Sequence, residues 1–177
     1  MTGVQTCALP ISALALADGS AGPVDLAIVI SDGLSATAVH TSAVPLALLI
    51  SGQVQNAGLA VAPFVIAQQG RVALGDEIAN KLRARAVVML IGERPGLSAV
   101  DSLGAYVTHD PKAGSSRDAG RNCISNIREG GLSTADASAR IVWLISEARR
   151  RGMSGVGLKD ESGLMVSAAT VLEVRSP

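Results

Sequence analysis

The side chains best suited to metal binding or nucleophilic catalysis are scarce in this sequence. It contains two histidines, His40 and His109, and two cysteines, Cys7 and Cys123. None of them has the spacing of paired metal ligands, so we predict no metal site. A Cys–His dyad built on Cys123 stays open, because the partners of such a dyad need not be near in sequence. The sequence offers no residue that we would name as catalytic.

Loops that bind nucleotides are not evident either. The sequence has no G-x-G-x-x-G segment after a strand and no G-x-x-x-x-G-K-[ST] segment, and these are the loops that cradle phosphate groups. Carboxylates are plentiful, but none is marked as a general acid or base, and Asp76 and Glu77 are interpreted as solvated or capping charges on a helix. An enzyme subunit of this kind would have to bind a molecule that carries the chemistry.

The composition favours a layered α/β fold. The 177 residues are 48% hydrophobic but only 2% aromatic, so the core is built from Ala, Val, Leu and Ile, which let helices lie close to a sheet. Few aromatic rings and zero net charge argue against a nucleic-acid partner. The basic run Arg149–Arg151 is interpreted as a helix end, where cations meet the negative end of the helix dipole.

Membrane insertion and secretion are not indicated. No apolar stretch is long enough for a membrane span, and no basic residue precedes the apolar segment Cys7–Ala17, as a signal peptide requires. Two distant cysteines do not form a disulfide framework, which favours a reducing, cytoplasmic compartment.

Apolar runs and turn signals give the order of elements. Residues 1–23 are predicted to be a poorly ordered leader and 24–177 one domain, within which 110–132 is predicted to be a long functional loop or an irregular crossover. Strands alternating with helices predict a mainly parallel sheet with helices on both faces. We predict strands at 25–30, 59–67, 86–91, 103–109 and within 165–174, and helices at 35–54, 72–82 and from Ser133 to Gly152.

Three segments follow predicted strands and should meet at one edge of the sheet. They are Ser31–Gly33, Gln68–Val72 and Gly92–Gly96. In open α/β sheets, ligands bind at the carboxyl ends of the strands. The sequence therefore predicts one binding site at this edge.

Six segments carry a resemblance to a known family. They are Ser31–Ala36, Gln69–Ile78, Ile91–Leu97, Asp101–Tyr106, Arg121–Ile127 and Ser154–Asp160. Together, and in this order, they resemble the small subunit of ethanolamine ammonia-lyase. The resemblance covers roughly residues 25–161, whereas residues 1–22 do not share it and the family's N-terminal region is missing.

The resemblance implies a fold, an activity and a cofactor. The family's domain is Rossmann-like and packs against a barrel-shaped large subunit that holds the catalytic residues. Adenosylcobalamin lies between the two subunits, and ethanolamine is converted to acetaldehyde and ammonia. The complex is a hetero-oligomer of the cytoplasm, associated with a bacterial microcompartment. The cofactor is expected to be base-on, because the sequence lacks the D-x-H-x-x-G motif of proteins that replace its lower base with histidine.

By the same resemblance, the cobalamin-contacting positions are Val72, Glu93 and Cys123. Val72 would offer apolar and backbone contact, Glu93 would accept hydrogen bonds, and Cys123 would be a small packing contact. Two other hypotheses stay open. One is a truncated subunit that docks without binding the cofactor. The other is a nucleotide- or sugar-phosphate-binding α/β enzyme, which a phosphate nest near Gly33 or Gly96 would favour.

Overall fold

The computed structural model describes residues 23–93, 99–114 and 117–162, and within them the chain forms an open five-stranded sheet. The strand order across the sheet is β2-β1-β3-β4-β5. The strands are β1 Val24–Ser31, β2 Val65–Ala67, β3 Ala84–Gly92, β4 Leu103–His109 and β5 Arg121–Ile127.

The sheet is mixed, which corrects the predicted mainly parallel, Rossmann-like arrangement. β1 runs parallel to both β2 and β3, whereas β3, β4 and β5 form an antiparallel meander. The connection from β3 to β4 spans only residues 93–102. A parallel crossover needs about a dozen residues or more, usually a helix, so this short connection reverses the chain instead.

Helices cover both faces of the sheet, as predicted. α1 (Ala36–Ala38), α2 (Val44–Asn56) and α4 (Thr134–Arg151) lie on one face, and α3 (Leu74–Lys81) lies on the other. The larger core includes Leu26, Ile28, Leu90, Ile50 and Leu144, all almost fully buried. The smaller core packs α3 against alternate residues of β1 and β3.

Two predicted elements take a different form. The strand predicted at 59–67 is reduced to β2 and an isolated bridge between Val61 and Leu26. The loop predicted at 110–132 contains β5, a strand that the polar sequence did not suggest. The strand predicted within 165–174 lies outside the described residues.

The first long helix is irregular near Pro45. A π-helical segment, Val39–Ala43, joins α1 to α2, and Pro45 lies in the first turn of α2. Proline has no N–H for the regular ladder and its ring crowds the preceding turn, which accounts for a local change of winding. By length and composition alone, Ala36–Asn56 is apolar enough to cross a membrane, against our expectation. Its inward residues Leu46 and Ile50 are fully buried in the core.

Both predicted ends of α4 are confirmed. Ser133 is the N-cap, and its hydroxyl accepts a hydrogen bond from the Asp136 amide at 3.0 Å. Gly152 ends the helix in the left-handed conformation, with φ of 68°. The last turn holds Arg149–Arg151, as predicted, and Glu147 contacts Arg150 and Arg151 at 2.8 Å. The basic run is thus partly neutralised within its own helix.

A buried ion pair ties α3 to β5. The Arg121 guanidinium contacts the Asp76 carboxylate, and each side chain is only 4% exposed. Arg121 also reaches Asp118 at 2.9 Å. The interpretation of Asp76 as a solvated charge is therefore wrong, because the arginine that buries it lies 45 residues further along the chain. Glu77, its neighbour, is exposed as expected.

Candidate functional site

The predicted edge of the sheet brings together the ends of β1 and β3. The Leu34 amide donates to the Gly92 carbonyl at 3.0 Å, which joins the turn after β1 to the end of β3. The loop after β2 is held at the same edge, because the Gly70 amide donates to the Ser31 hydroxyl at 3.0 Å and the Gln69 amide donates to Asp32 at 2.5 Å. The predicted meeting of these segments is confirmed up to Glu93; Gly96 lies outside the described residues.

The backbone amides of this edge already have partners inside the protein. The Gly33 amide donates to the Asp32 carboxylate at 3.0 Å, and the Ser35 amide donates to the Asp32 carbonyl at 3.0 Å. α1, which begins here, has three residues and is capped by the Ser35 hydroxyl. A phosphate nest needs several free N–H groups that converge on one point. The turn at Gly33 does not provide them, because the Asp32 carboxylate accepts the hydrogen bond that a bound anion would otherwise accept.

An open cavity of about 580 Å³ lies at this edge of the sheet. Its lining mixes apolar side chains with hydrogen-bonding groups from the parallel and the antiparallel halves of the sheet. The lining residues are Leu34, Arg71, Val72, Ile91, Gly92, Glu93, Ala99, Ser102, Tyr106, Ser125 and Asn126.

The cavity lies beside the part of the sheet that helix α3 leaves open. α3 packs against β1 and β3, whereas β4 and β5 are covered on the opposite face by α4. On the α3 side, α3 reaches β5 through the buried Asp76–Arg121 pair at the start of that strand, and the middle of β4 and β5 is less covered than on the α4 side. Side chains that point to this side, such as Tyr106 and Cys123, therefore meet solvent even though they belong to inner stretches of strands.

The Glu93 carboxylate is held by two hydrogen bonds. Its Oε2 accepts hydrogen bonds from the Ser102 hydroxyl at 2.5 Å and from the Asn126 amide at 3.2 Å. Gly104 leaves the space for it, since a Cβ there would lie 3.0 Å from Glu93 Cγ and Oε1. Both known donors go to one oxygen. The other oxygen, Oε1, lies over Gly104.

A β-bulge on β5 provides one of these donors. The pairing of β4 with β5 shifts by one residue between Leu103 and Ala105, opposite Ser125 and Asn126. Asn126 has a φ of 60°, which asparagine tolerates better than most residues. Bulges often re-aim groups next to binding sites. Here the bulge turns the Asn126 amide toward Glu93.

Tyr106 and Cys123 form a pair beside Glu93. They are direct partners across β4 and β5. Burial, with the neighbouring Cys123 and Glu93, raises the pKa of the Tyr106 phenol to about 12. Partial burial raises the pKa of the Cys123 thiol, although the residue is solvent-exposed. The neighbouring Tyr106 hydroxyl offsets part of this rise, and the charge of Glu93 adds to it. Cys123 is therefore a poor nucleophile near neutral pH.

The three predicted site residues do not all line the cavity. Val72 and Glu93 both line the cavity. Cys123 is not among the lining residues, although its cross-strand partner Tyr106 is. The sequence did not single out Ser102, Tyr106 or Asn126. The motifs that contain them were recognised, but only the strand direction and the bulge bring them to Glu93.

No Cys–His dyad forms on Cys123 within the described residues. His109 lies three residues after Tyr106 in β4, so strand alternation places it on the opposite face of the sheet. His40 is exposed in the π-helical segment, on the face covered by α2 and α4. The described part of the chain also has no group of three His, Cys, Asp or Glu side chains that could hold a metal ion.

Comparison with known proteins gives one consistent family. Residues 10–159 match the family model described as ethanolamine ammonia-lyase light chain (EutC). The match begins inside the segment predicted to be a leader. The chain is 55% identical over 146 residues to an ethanolamine ammonia-lyase small subunit of Pseudomonas putida, covering 82% of this chain and 53% of that protein. It is 53% identical over 141 residues to one of Xanthomonas campestris, covering 80% and 52%. The chain thus spans about half the length of the curated relatives it matches.

Proposed function

We propose that this chain, which belongs to the ethanolamine ammonia-lyase light-chain family, helps to hold adenosylcobalamin against a larger catalytic subunit. The complex would convert ethanolamine to acetaldehyde and ammonia. The relatives are named small subunits, which implies a complex with a large subunit. This chain would therefore act as an accessory subunit of a carbon–nitrogen lyase, without catalytic residues of its own.

The fixed Glu93 carboxylate in an open cavity is the observation that carries this proposal. A corrinoid has primary amide side chains, whose N–H groups need acceptors, and a broad apolar ring system. Glu93 supplies an acceptor that two neighbours hold in place. Val72, Leu34 and Ile91 supply apolar contact around it. The residues present therefore fit the group.

The size of the cavity supports a site shared with a partner. Pockets that enclose drug-sized ligands have volumes of about 300–1,000 Å³, and a corrinoid is larger than such ligands. An open cavity of about 580 Å³ can cover only part of it. The remaining surface would be covered by the large subunit in a hetero-oligomer.

The task of this chain would be to position the cofactor. When bound, adenosylcobalamin supplies the radical chemistry of the reaction. Glu93 would accept hydrogen bonds from its amides, and Val72 would pack against its apolar surface. Precise placement of a reactive group next to a substrate accounts for a large part of many enzymatic rate enhancements. We further propose a base-on cofactor and a cytoplasmic location in a bacterial microcompartment, as the family resemblance implies.

The two alternative functions are not equally compatible with the structure. A phosphate nest at Gly33 is disfavoured, because its backbone amide donates to Asp32; the other predicted nest, at Gly96, lies outside the described residues. The docking subunit without a cofactor is a distinct outcome of the experiment below. It predicts assembly with the large subunit that does not depend on Glu93.

Glu93→Gln is the variant that tests the proposal. We expect roughly 10- to 100-fold weaker binding of adenosylcobalamin, the effect of losing one hydrogen bond to a charged group. The measurement is a titration of the chain, mixed with a large subunit from the same family, followed by corrinoid absorption and by acetaldehyde release from ethanolamine.

The matched control is Glu77→Gln, which removes an exposed carboxylate of α3 and should leave binding unchanged. Wild-type complex that forms without binding the cofactor would support the docking subunit. Equal affinity of the wild type and Glu93→Gln would reject the role given to Glu93.

A further inference from the structure

The cavity holds a second charge, opposite in sign to that of Glu93. Among the described residues that line it, Arg71 is the only basic one, and it lies in the loop between β2 and α3. Its guanidinium donates to the Gly70 carbonyl at 3.3 Å, and no carboxylate of the described chain forms an ion pair with it. A guanidinium has five N–H donors, so most of those of Arg71 remain available to a bound molecule.

The backbone around Arg71 is held firmly at the end of β1. The Gly70 amide donates to the Ser31 hydroxyl at 3.0 Å, and the Leu74 amide donates to the Arg71 carbonyl at 2.9 Å. Glycine is needed for this fit, because a Cβ at Gly70 would lie 2.6 Å from Ser31 Oγ. The loop therefore presents the exposed Arg71 side chain from a fixed base.

Arg71 and Glu93 line the same cavity but do not pair with each other. Glu93 is held by Ser102 and Asn126, on the side of β4 and β5, whereas the Arg71 loop is held on the side of β1. Opposite charges that share a cavity without pairing offer two kinds of contact, an acceptor for N–H groups and a donor for an anion. The cavity thus fits a ligand that carries both amides and a negative charge.

We propose that Arg71 is a further cofactor-binding residue, which binds the phosphodiester in the nucleotide loop of the cofactor while Glu93 binds its amides. This inference rests on the proposed function. A base-on cobalamin carries the phosphodiester between the corrin ring and the lower base, and its other peripheral side chains are neutral amides. A guanidinium matches a phosphate group with two parallel N–H···O hydrogen bonds.

The test compares two corrinoids that differ in this loop. Adenosylcobinamide has the corrin ring of adenosylcobalamin but lacks the phosphodiester and the lower base. In the complex of this chain with a family large subunit, Arg71→Met should weaken adenosylcobalamin binding by roughly 10- to 100-fold, the effect of losing a hydrogen bond to a charged group. Adenosylcobinamide binding should change by less than about twofold, because the lost contact is absent from it. Arg71→Lys keeps the charge but not the paired donors, and its affinity should fall between the two.

Two controls separate a direct charge contact from other effects. Arg140→Met removes an exposed arginine of α4, on the opposite face of the sheet, and should leave binding of both corrinoids unchanged. Added salt should weaken adenosylcobalamin binding less in Arg71→Met than in the wild type, because salt screens the charge that the variant lacks. If adenosylcobinamide binds too weakly to measure, equal salt dependence of the wild type and Arg71→Met would contradict the contact. Corrinoid absorption gives every affinity, so no readout depends on turnover.

Three outcomes would overturn the proposal. Unchanged affinity for adenosylcobalamin would remove the contact, and equal losses with both corrinoids would mean that Arg71 does not recognise the nucleotide loop. Loss of assembly with the large subunit, measured by size-exclusion chromatography, would instead assign Arg71 to the subunit interface. In these cases the wild-type complex still binds adenosylcobalamin. A wild-type complex that binds neither corrinoid would contradict the proposed function itself.

Discussion

Arg121→Met is expected to lower the free energy of unfolding by about 3 to 5 kcal/mol, the usual cost of leaving a buried charge without its partner. Asp76 would keep its carboxylate in a site that is 4% exposed. The free energy of unfolding of a protein is typically about 5 to 15 kcal/mol, so this loss is a large share of it. Chemical denaturation followed by circular dichroism measures it.

Two further variants show whether the buried charge is the cause. Replacing both partners, as Asp76→Ala/Arg121→Met, should recover much of the loss, because no uncompensated charge remains. Arg149→Ala removes the partly exposed ion pair between Arg149 and Asp25, whose charged atoms lie 2.8 Å apart. It should lower the free energy of unfolding by less than about 1 kcal/mol. If the double variant were as unstable as the single one, packing around Arg121 rather than charge pairing would explain the effect.

Gly92→Ala is expected to disturb both the fold and the site. A Cβ at this position would overlap the carbonyl oxygens of Asp32 and Ser35, and backbone atoms cannot rotate away. Overpacking of this kind costs about 1 to 3 kcal/mol or more. The turn after β1 would have to move away from the end of β3, which shifts Leu34 relative to Glu93. We expect lower stability together with weaker binding of adenosylcobalamin, measured by denaturation and by the titration described above.

Gly52→Ala is the matched control for this substitution. Gly52 lies within α2, and apart from its own stretch of helix no atom lies within 4 Å of a Cβ added there. Alanine is the better helix former, so this variant should gain roughly 0.5 to 1 kcal/mol. A stable Gly92→Ala variant with unchanged binding would mean that the cavity tolerates movement of the turn after β1.

Much of the fold was predictable because its signals are local. The buried strand β3 is a continuous apolar run, and α4 is marked by a capping serine and a terminal glycine. The edge at which Ser31, Gln69 and Gly92 meet followed from the rule for carboxyl ends of parallel strands. That rule held for β1, β2 and β3, which are the parallel part of the sheet.

The antiparallel half was not predictable, for two physical reasons. Hydrophobic periodicity identifies a strand but does not give its direction. In β5 the periodicity itself is hidden, since Arg121, Ile124 and Ile127 are the buried positions. The spacing of three arises because Arg121 is buried by an ion pair on one face, whereas the bulge keeps Ile124 and Ile127 in the core on the other.

The same limit applies to the candidate site. Glu93 and Val72 were named from the resemblance, and the cavity brings them together. Tyr106 and Asn126 belong to recognised motifs, but their roles depend on the pairing of β4 with β5. The pairing of Tyr106 with Cys123 joins residues distant in sequence, and no local pattern predicts it.

The mixed sheet also has a consequence for the order of folding. The meander β3-β4-β5 is made of contacts between neighbouring segments, whereas pairing β1 with β3 must close the long stretch that contains α1, α2, β2 and α3. Contacts that are close in sequence form with a smaller entropic cost. The antiparallel half is thus expected to form before the parallel half. Because the cavity takes residues from both halves, it is complete only after the last of these pairings, and a cofactor that binds there would be a probe of the final step of folding.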